Sequence, residues 1–110
     1  MNIAMKGLVF GVSALALSFA RVSLADAPKS VAVLDPKDSR VVNIVATLPD
    51  GPSKYRCQYQ WKITFRSGAE TSDACEVDVP AGTKNTVVCV RKYDSKIVDL
   101  ALLQANYRAL

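Results

Sequence analysis

Residues 54–66 read KYRCQYQWKITFR. Tyr55, Cys57, Tyr59, Trp61, Ile63 and Phe65 alternate without a break with Arg56, Gln58, Gln60, Lys62, Thr64 and Arg66. A strict period of two puts the two sets on opposite faces of a β-strand. The first set is apolar or aromatic and predicts a core face. An aromatic ladder can also serve as a ligand platform, but with Ile63 inside it the inner face of a two-layer protein is the simpler reading. The second set holds three cations, two amides, a threonine and no acid, so the wet side of this strand is basic or neutral throughout. Such a stripe either recognises an acidic partner or keeps an exposed strand soluble and unpaired.

Shorter strands surround it. Residues 40–48 (RVVNIVATL) are rich in β-branched side chains and stop at Pro49-Asp50-Gly51-Pro52, where proline fixes φ and glycine accepts a positive one. Before them, residues 30–34 (SVAVL) between Pro28 and Pro36 fit a short edge strand. Residues 67–72 (SGAETS) are small and polar and predict a loop. Residues 74–79 (ACEVDV) alternate again, with Cys75, Val77 and Val79 inward, and Pro80-Ala81-Gly82-Thr83-Lys84 turns the chain into residues 85–92 (NTVVCVRK). After a turn at Tyr93-Asp94-Ser95-Lys96, residues 96–104 are read as a strand hairpinned to the preceding one, although leucine, alanine and glutamine there also suit a helix. Six or so short strands in one small domain predict an all-β, immunoglobulin-like antiparallel sandwich.

The chain has three cysteines, Cys57, Cys75 and Cys89. If residues 85–92 return antiparallel about Gly82, Val77 faces Val87 and Cys75 faces Cys89, which pairs these two and leaves Cys57 as a buried core thiol. Spacing alone leaves the other pairings open.

The N-terminal residues 1–25 have the layout of a secretory signal peptide. Lys6 precedes an apolar run at residues 7–20, and Ser23-Leu24-Ala25 supplies small residues for cleavage after Ala25, with Ala20 as the alternative. The run is shorter than the roughly 18 to 20 residues that span a bilayer, which argues against a stable membrane anchor. The mature domain is then residues 26–110, exported and soluble in the periplasm, where disulfides persist. The whole chain carries 14 Lys plus Arg against 10 Asp plus Glu. Losing Lys6 and Arg21 with the leader leaves 12 basic residues against 10 acidic, a net charge of +2, so nucleic acid is not an expected partner.

Catalytic chemistry finds no footing. The chain has no His, so histidine-based acid–base catalysis and His-ligated metals are excluded. The carboxylates are scattered, Ser and Thr lack a base, and Cys57 on the apolar face is disfavoured as a thiolate. There is no C-x-x-C zinc or redox pattern and no glycine-rich phosphate loop, so no cofactor, metal or enzymatic activity is expected.

From Tyr59 onward a long strand leads into RSGAETSDA, then EVDVPAG, a returning strand, an Asp-containing turn and a Lys96-Ile97-Val98 strand. This order resembles the periplasmic curli assembly family of CsgC and CsgH, small immunoglobulin-like proteins. Arg56-Cys57-Gln58 has one cysteine where the CsgC branch has a Cys-x-Cys pair, which puts a redox role in doubt and leans toward the CsgH-like branch. The resemblance implies a chaperone-like inhibitor that keeps an unfolded, amyloid-forming secreted subunit from polymerising. Its client would meet the basic stripe, with Arg56, Lys62 and Arg66 as contacts and Lys54 in support. The contrasting expectation is a structural or adhesive module that docks an envelope partner by strand addition along residues 30–34.

Overall fold

In the computed structural model, which describes residues 27–110, the chain forms β1 (Lys29–Asp35), β2 (Asp38–Thr47), β3 (Lys54–Phe65), β4 (Glu70–Pro80), β5 (Thr86–Lys92) and β6 (Ile97–Ala109). The expected signal peptide, residues 1–25, and Asp26 lie outside the described residues. Two antiparallel sheets of three strands result, ordered β1-β2-β5 and β4-β3-β6.

Alternation in sequence becomes alternation in burial. Cys57, Tyr59, Trp61 and Ile63 of β3 are buried and meet Val42 and Ile44 of β2, Leu48, Val79, Cys89 and Ile97 in one core cluster. Both sheets thus contribute to a shared interior, as in a β-sandwich. Cys57 is a free, buried thiol, as expected from its place in the alternation.

Three expectations need correction. The loop predicted at residues 67–72 is shorter, with β4 beginning at Glu70. Gly68 closes the turn with φ +93°, and the Phe65 amide donates to the Ala69 carbonyl at 2.9 Å. Polar Glu70, Thr71 and Ser72 look like a loop by composition, yet an edge strand exposed on its outer side tolerates them.

Second, β4 and β5 do not form a hairpin about Gly82. They lie in different sheets, so Val77 pairs with Cys57 and Val87 with Val45. The turn between them is tied to the β2–β3 connection: the Gly82 amide donates to the Pro49 carbonyl at 2.9 Å and the Leu48 amide to the Thr83 carbonyl at 2.8 Å. At φ +83° a side chain on Gly82 would meet the Asp50 carboxylate at 2.7 Å, so glycine serves both the backbone conformation and the close approach. Cys75 and Cys89 are still joined, with Cα atoms 6.7 Å apart, but by bridging the two sheets.

Third, the C-terminal segment is a strand, longer than predicted, and its partner is β3 rather than β5. Pairing runs from Tyr55↔Ala109 to Phe65↔Ile97, with irregularities at Gln60/Trp61 and Thr64/Phe65. This position makes β3 the central strand of its sheet.

Candidate functional site

Because β3 is central, each of its outward side chains has neighbours on both sides. Arg56 lies opposite Asp78 on β4 and Arg108 on β6. Its guanidinium grips Asp78 in a fork, Nε to Oδ1 at 2.9 Å and Nη2 to Oδ2 at 3.2 Å, with Glu76 3.7 Å away. The hydrogen bonds from Arg56 hold the Asp78 carboxyl below its ordinary value, and the same bonds raise Arg56. Beside them Gln58 donates to Glu76 at 3.1 Å.

The stripe is therefore basic on β3 alone and zwitterionic on the sheet. Lys62 has Glu70 at 3.9 Å, a contact at the outer limit of an ion pair and worth little on an exposed surface. Arg66 falls just past the end of β3, in the turn, where its amide donates to the Lys96 carbonyl at 3.0 Å. Lys54 opens β3 opposite Pro80. Lys54, Arg56 and Lys62 thus share one face, and Arg66 stands at its end.

Arg108 is the residue the sequence reading missed. It sits directly across from Arg56, and among the described residues it forms no ion pair. Like charges placed directly opposite on a sheet repel; Asp78 pairs directly with Arg56 and acts on Arg108 only through space, Arg108 being among the cations that help to lower its carboxyl. With Lys54 these arginines make a cationic corner, and Arg56, Gln58, Asn106, Tyr107 and Arg108 line a depression of about 80 Å³ there. Between the corner and Lys62, Gln60 faces Gln104 and Gln58 faces Asn106, which gives a mid-face rich in amide donors and acceptors. The signal was in the sequence: Gln104, Asn106 and Arg108 alternate with Ala105, Tyr107 and Ala109.

Burial raises the Cys57 thiol above its ordinary value, as suits a packing group rather than a nucleophile. Among the described residues, no group of three or more His, Cys, Asp or Glu is placed to hold a metal ion. No helix among them is long and apolar enough to cross a membrane.

The opposite sheet presents another surface. Val31 and Val33 of β1 and Val87 and Val90 of β5 are each at least 40% exposed, and they pair with Val45 and Asn43 of β2. Among the described residues the arginine sheet exposes apolar side chains as well: Val98 and Leu103 on β6 are 60% and 55% exposed, and Leu110, 46% exposed, donates its amide to the Lys54 carbonyl at 2.9 Å. Searches of protein-family profiles, curated proteins and solved structures find no match to this chain.

Proposed function

We propose that this chain is exported to the periplasm and acts there as a chaperone-like inhibitor of curli-type amyloid polymerisation, without catalysis or a cofactor. The cationic corner carries the reading: Lys54, Arg56 and Arg108 converge on a polar, amide-rich sheet face, with Asp78 hydrogen-bonded to Arg56 and Glu76 3.7 Å from it. An acidic, strand-forming client is drawn to the excess positive charge of this corner and meets amides and paired charges there rather than a continuous apolar strip on which to nucleate. Lys62 and Arg66 extend the field along the face, more weakly because Glu70 lies near Lys62. The strand order supports an immunoglobulin-like architecture, in which β1, β2 and β5 take the places of strands A, B and E and β3 and β6 those of C and F, with the buried Trp61 on the C-like strand. The disulfide departs from that pattern by joining β4 to β5. The test is the polymerisation time course of a curli-type amyloid subunit with the purified protein added well below one-to-one. A long delay that shortens as salt rises supports the reading, and an unchanged curve refutes it.

A second reading, docking of an envelope partner by strand addition, is favoured by one observation. β1 is an edge strand, with no charge between Lys29 and Asp35. Val33→Lys would block strand addition and leave binding at the arginine face intact.

A further inference from the structure

The four edge strands are not equally protected. β4 carries Glu70, Asp73, Glu76 and Asp78 and ends in Pro80, and Arg91 reaches across to donate to its Ala74 carbonyl at 3.3 Å. β5 ends in Arg91 and Lys92 and has a register shift in the middle of its pairing with β2, between Ile44 and Val45. β6 has two register irregularities and carries Asp99 and Arg108. Charges, proline and bulges are the usual devices that stop edge-to-edge pairing. β1 has them only at its ends, Pro28 before it, Pro36 after it and a register shift between Leu34 and Asp35; along its middle, pairing with β2 is regular from Lys29↔Thr47 to Leu34↔Val42, and Ser30, Val31, Ala32, Val33 and Leu34 bear no charge. β1 is hydrogen-bonded to β2 alone, and Val31 and Val33 are 54% and 40% exposed.

The same strand, KSVAVLD, is complementary to itself when reversed. We propose that a second copy of this chain pairs β1 against β1, antiparallel, about a twofold axis through Ala32. In that register Lys29 faces Asp35 of the second copy and Val31 faces Val33 on the outer side, while Ser30 faces Leu34 on the inner side. Opposite residues of an antiparallel pair share a face, so the valines exposed in one copy cover those of the other. The Asp35 Oδ1 accepts the Lys37 amide at 2.9 Å, which leaves Oδ2 for the incoming lysine. Two strands run in parallel, or shifted by two residues, separate Lys29 from Asp35 and lose both ion pairs. A foreign strand can fill the same backbone bonds, but only a second copy supplies this charge and valine pattern in both directions at once, because a twofold interface forms each contact twice. The product is one six-stranded sheet in the order β5-β2-β1-β1-β2-β5. The interface is small, so the dimer is weak and concentration-dependent.

The inference stands apart from the client-binding reading, since β1 belongs to the other sheet. Sedimentation of the purified protein at low salt, from micromolar to about 1 mM, tests it with Lys29→Glu, Asp35→Lys and Val33→Lys variants. Each charge variant alone places like charges opposite each other and should weaken association on the order of tenfold. A one-to-one mixture of Lys29→Glu with Asp35→Lys restores both opposite-charge pairs and should recover association close to that of the native chain, which also shows that both variants are folded. Val33→Lys should be monomeric with an unchanged circular dichroism spectrum. A native protein monomeric throughout the range, a dimer indifferent to the single variants, or a mixture that fails to recover overturns the proposal.

Discussion

Cys75 and Cys89 reach each other across the core from opposite sheets, so their disulfide ties β4 to β5 where no backbone ladder does. The bond closes a loop with a sequence separation of 14, a length for which restricting the unfolded chain contributes about 3 kcal/mol. In a domain this small that is a large share of net stability. The double variant Cys75→Ser, Cys89→Ser should therefore lose about 2 to 4 kcal/mol in urea unfolding. Reductant should produce the same loss in the native protein and none in the variant.

Trp61, fully buried, donates its indole N–H to the Tyr93 hydroxyl at 3.2 Å, and Tyr93 donates to Asp73 at 2.6 Å. Tyr93→Phe leaves the indole N–H without its acceptor and removes the donor to Asp73. The expected cost is about 1 to 3 kcal/mol, measured by chemical unfolding, with a shift in Trp61 fluorescence. The ring of Phe65 packs edge-on to Tyr93 at 6.0 Å, and phenylalanine preserves that contact, so the loss isolates the hydroxyl.

The pH dependence of stability should be flat near neutrality and fall at both ends. Without histidine, no side chain of ordinary pKa titrates between about pH 5 and 8. On the acid side, hydrogen bonds from Arg40 bring Asp38 down to about 2, and Arg56 lowers Asp78. A carboxyl depressed in the folded state contributes stability present above its unfolded pKa and lost as pH falls through the folded one. Stability should thus decline from about pH 4 toward 2. On the alkaline side, burial, joined by the hydrogen bond to Asp73, pushes Tyr93 up to about 12, and burial also raises Tyr59. A group raised in the folded state contributes stability fully present below its unfolded pKa and lost as pH rises through the folded one. Unfolding midpoints should fall between about pH 10 and 12. Acid loss should be smaller in Asp38→Asn, and alkaline loss smaller in Tyr93→Phe.

Cys57 should be silent to thiol reagents in the folded protein. It is fully buried, and burial raises its pKa, so both access and thiolate are suppressed. Labelling should require unfolding and should follow the denaturant transition. Fast labelling at neutral pH in native buffer contradicts the packing role.

The strands were legible where they keep one wet and one dry face, and β3 shows this most cleanly from Cys57 to Ile63. Which sheet each strand joins was not. A turn such as Pro80-Ala81-Gly82-Thr83-Lys84 has the same composition whether it closes a hairpin or crosses between layers, and its hydrogen bonds to Leu48 and Pro49 decide the matter. The cysteine pairing came out as expected through a different geometry, since both inward faces end at the same core. At the candidate site, Lys54, Arg56 and Lys62 were legible on one face from their spacing. The acids opposite them depended on the β3–β4 register, which a shorter turn at residues 66–69 would have indicated. Arg108 lay beyond the stretch read as strand, although its alternation with Tyr107 and Ala109 carried the signal.

The most direct test of the cationic corner compares polymerisation delays of a curli-type amyloid subunit for the native protein, a Lys54→Gln, Arg56→Gln, Arg108→Gln variant and a Lys62→Gln, Arg66→Gln variant. Circular dichroism and unfolding midpoints confirm that each is folded. The first variant is expected to lose most of the delay and the second only part of it. A first variant that delays polymerisation as long as the native protein contradicts the claim that this corner holds the client.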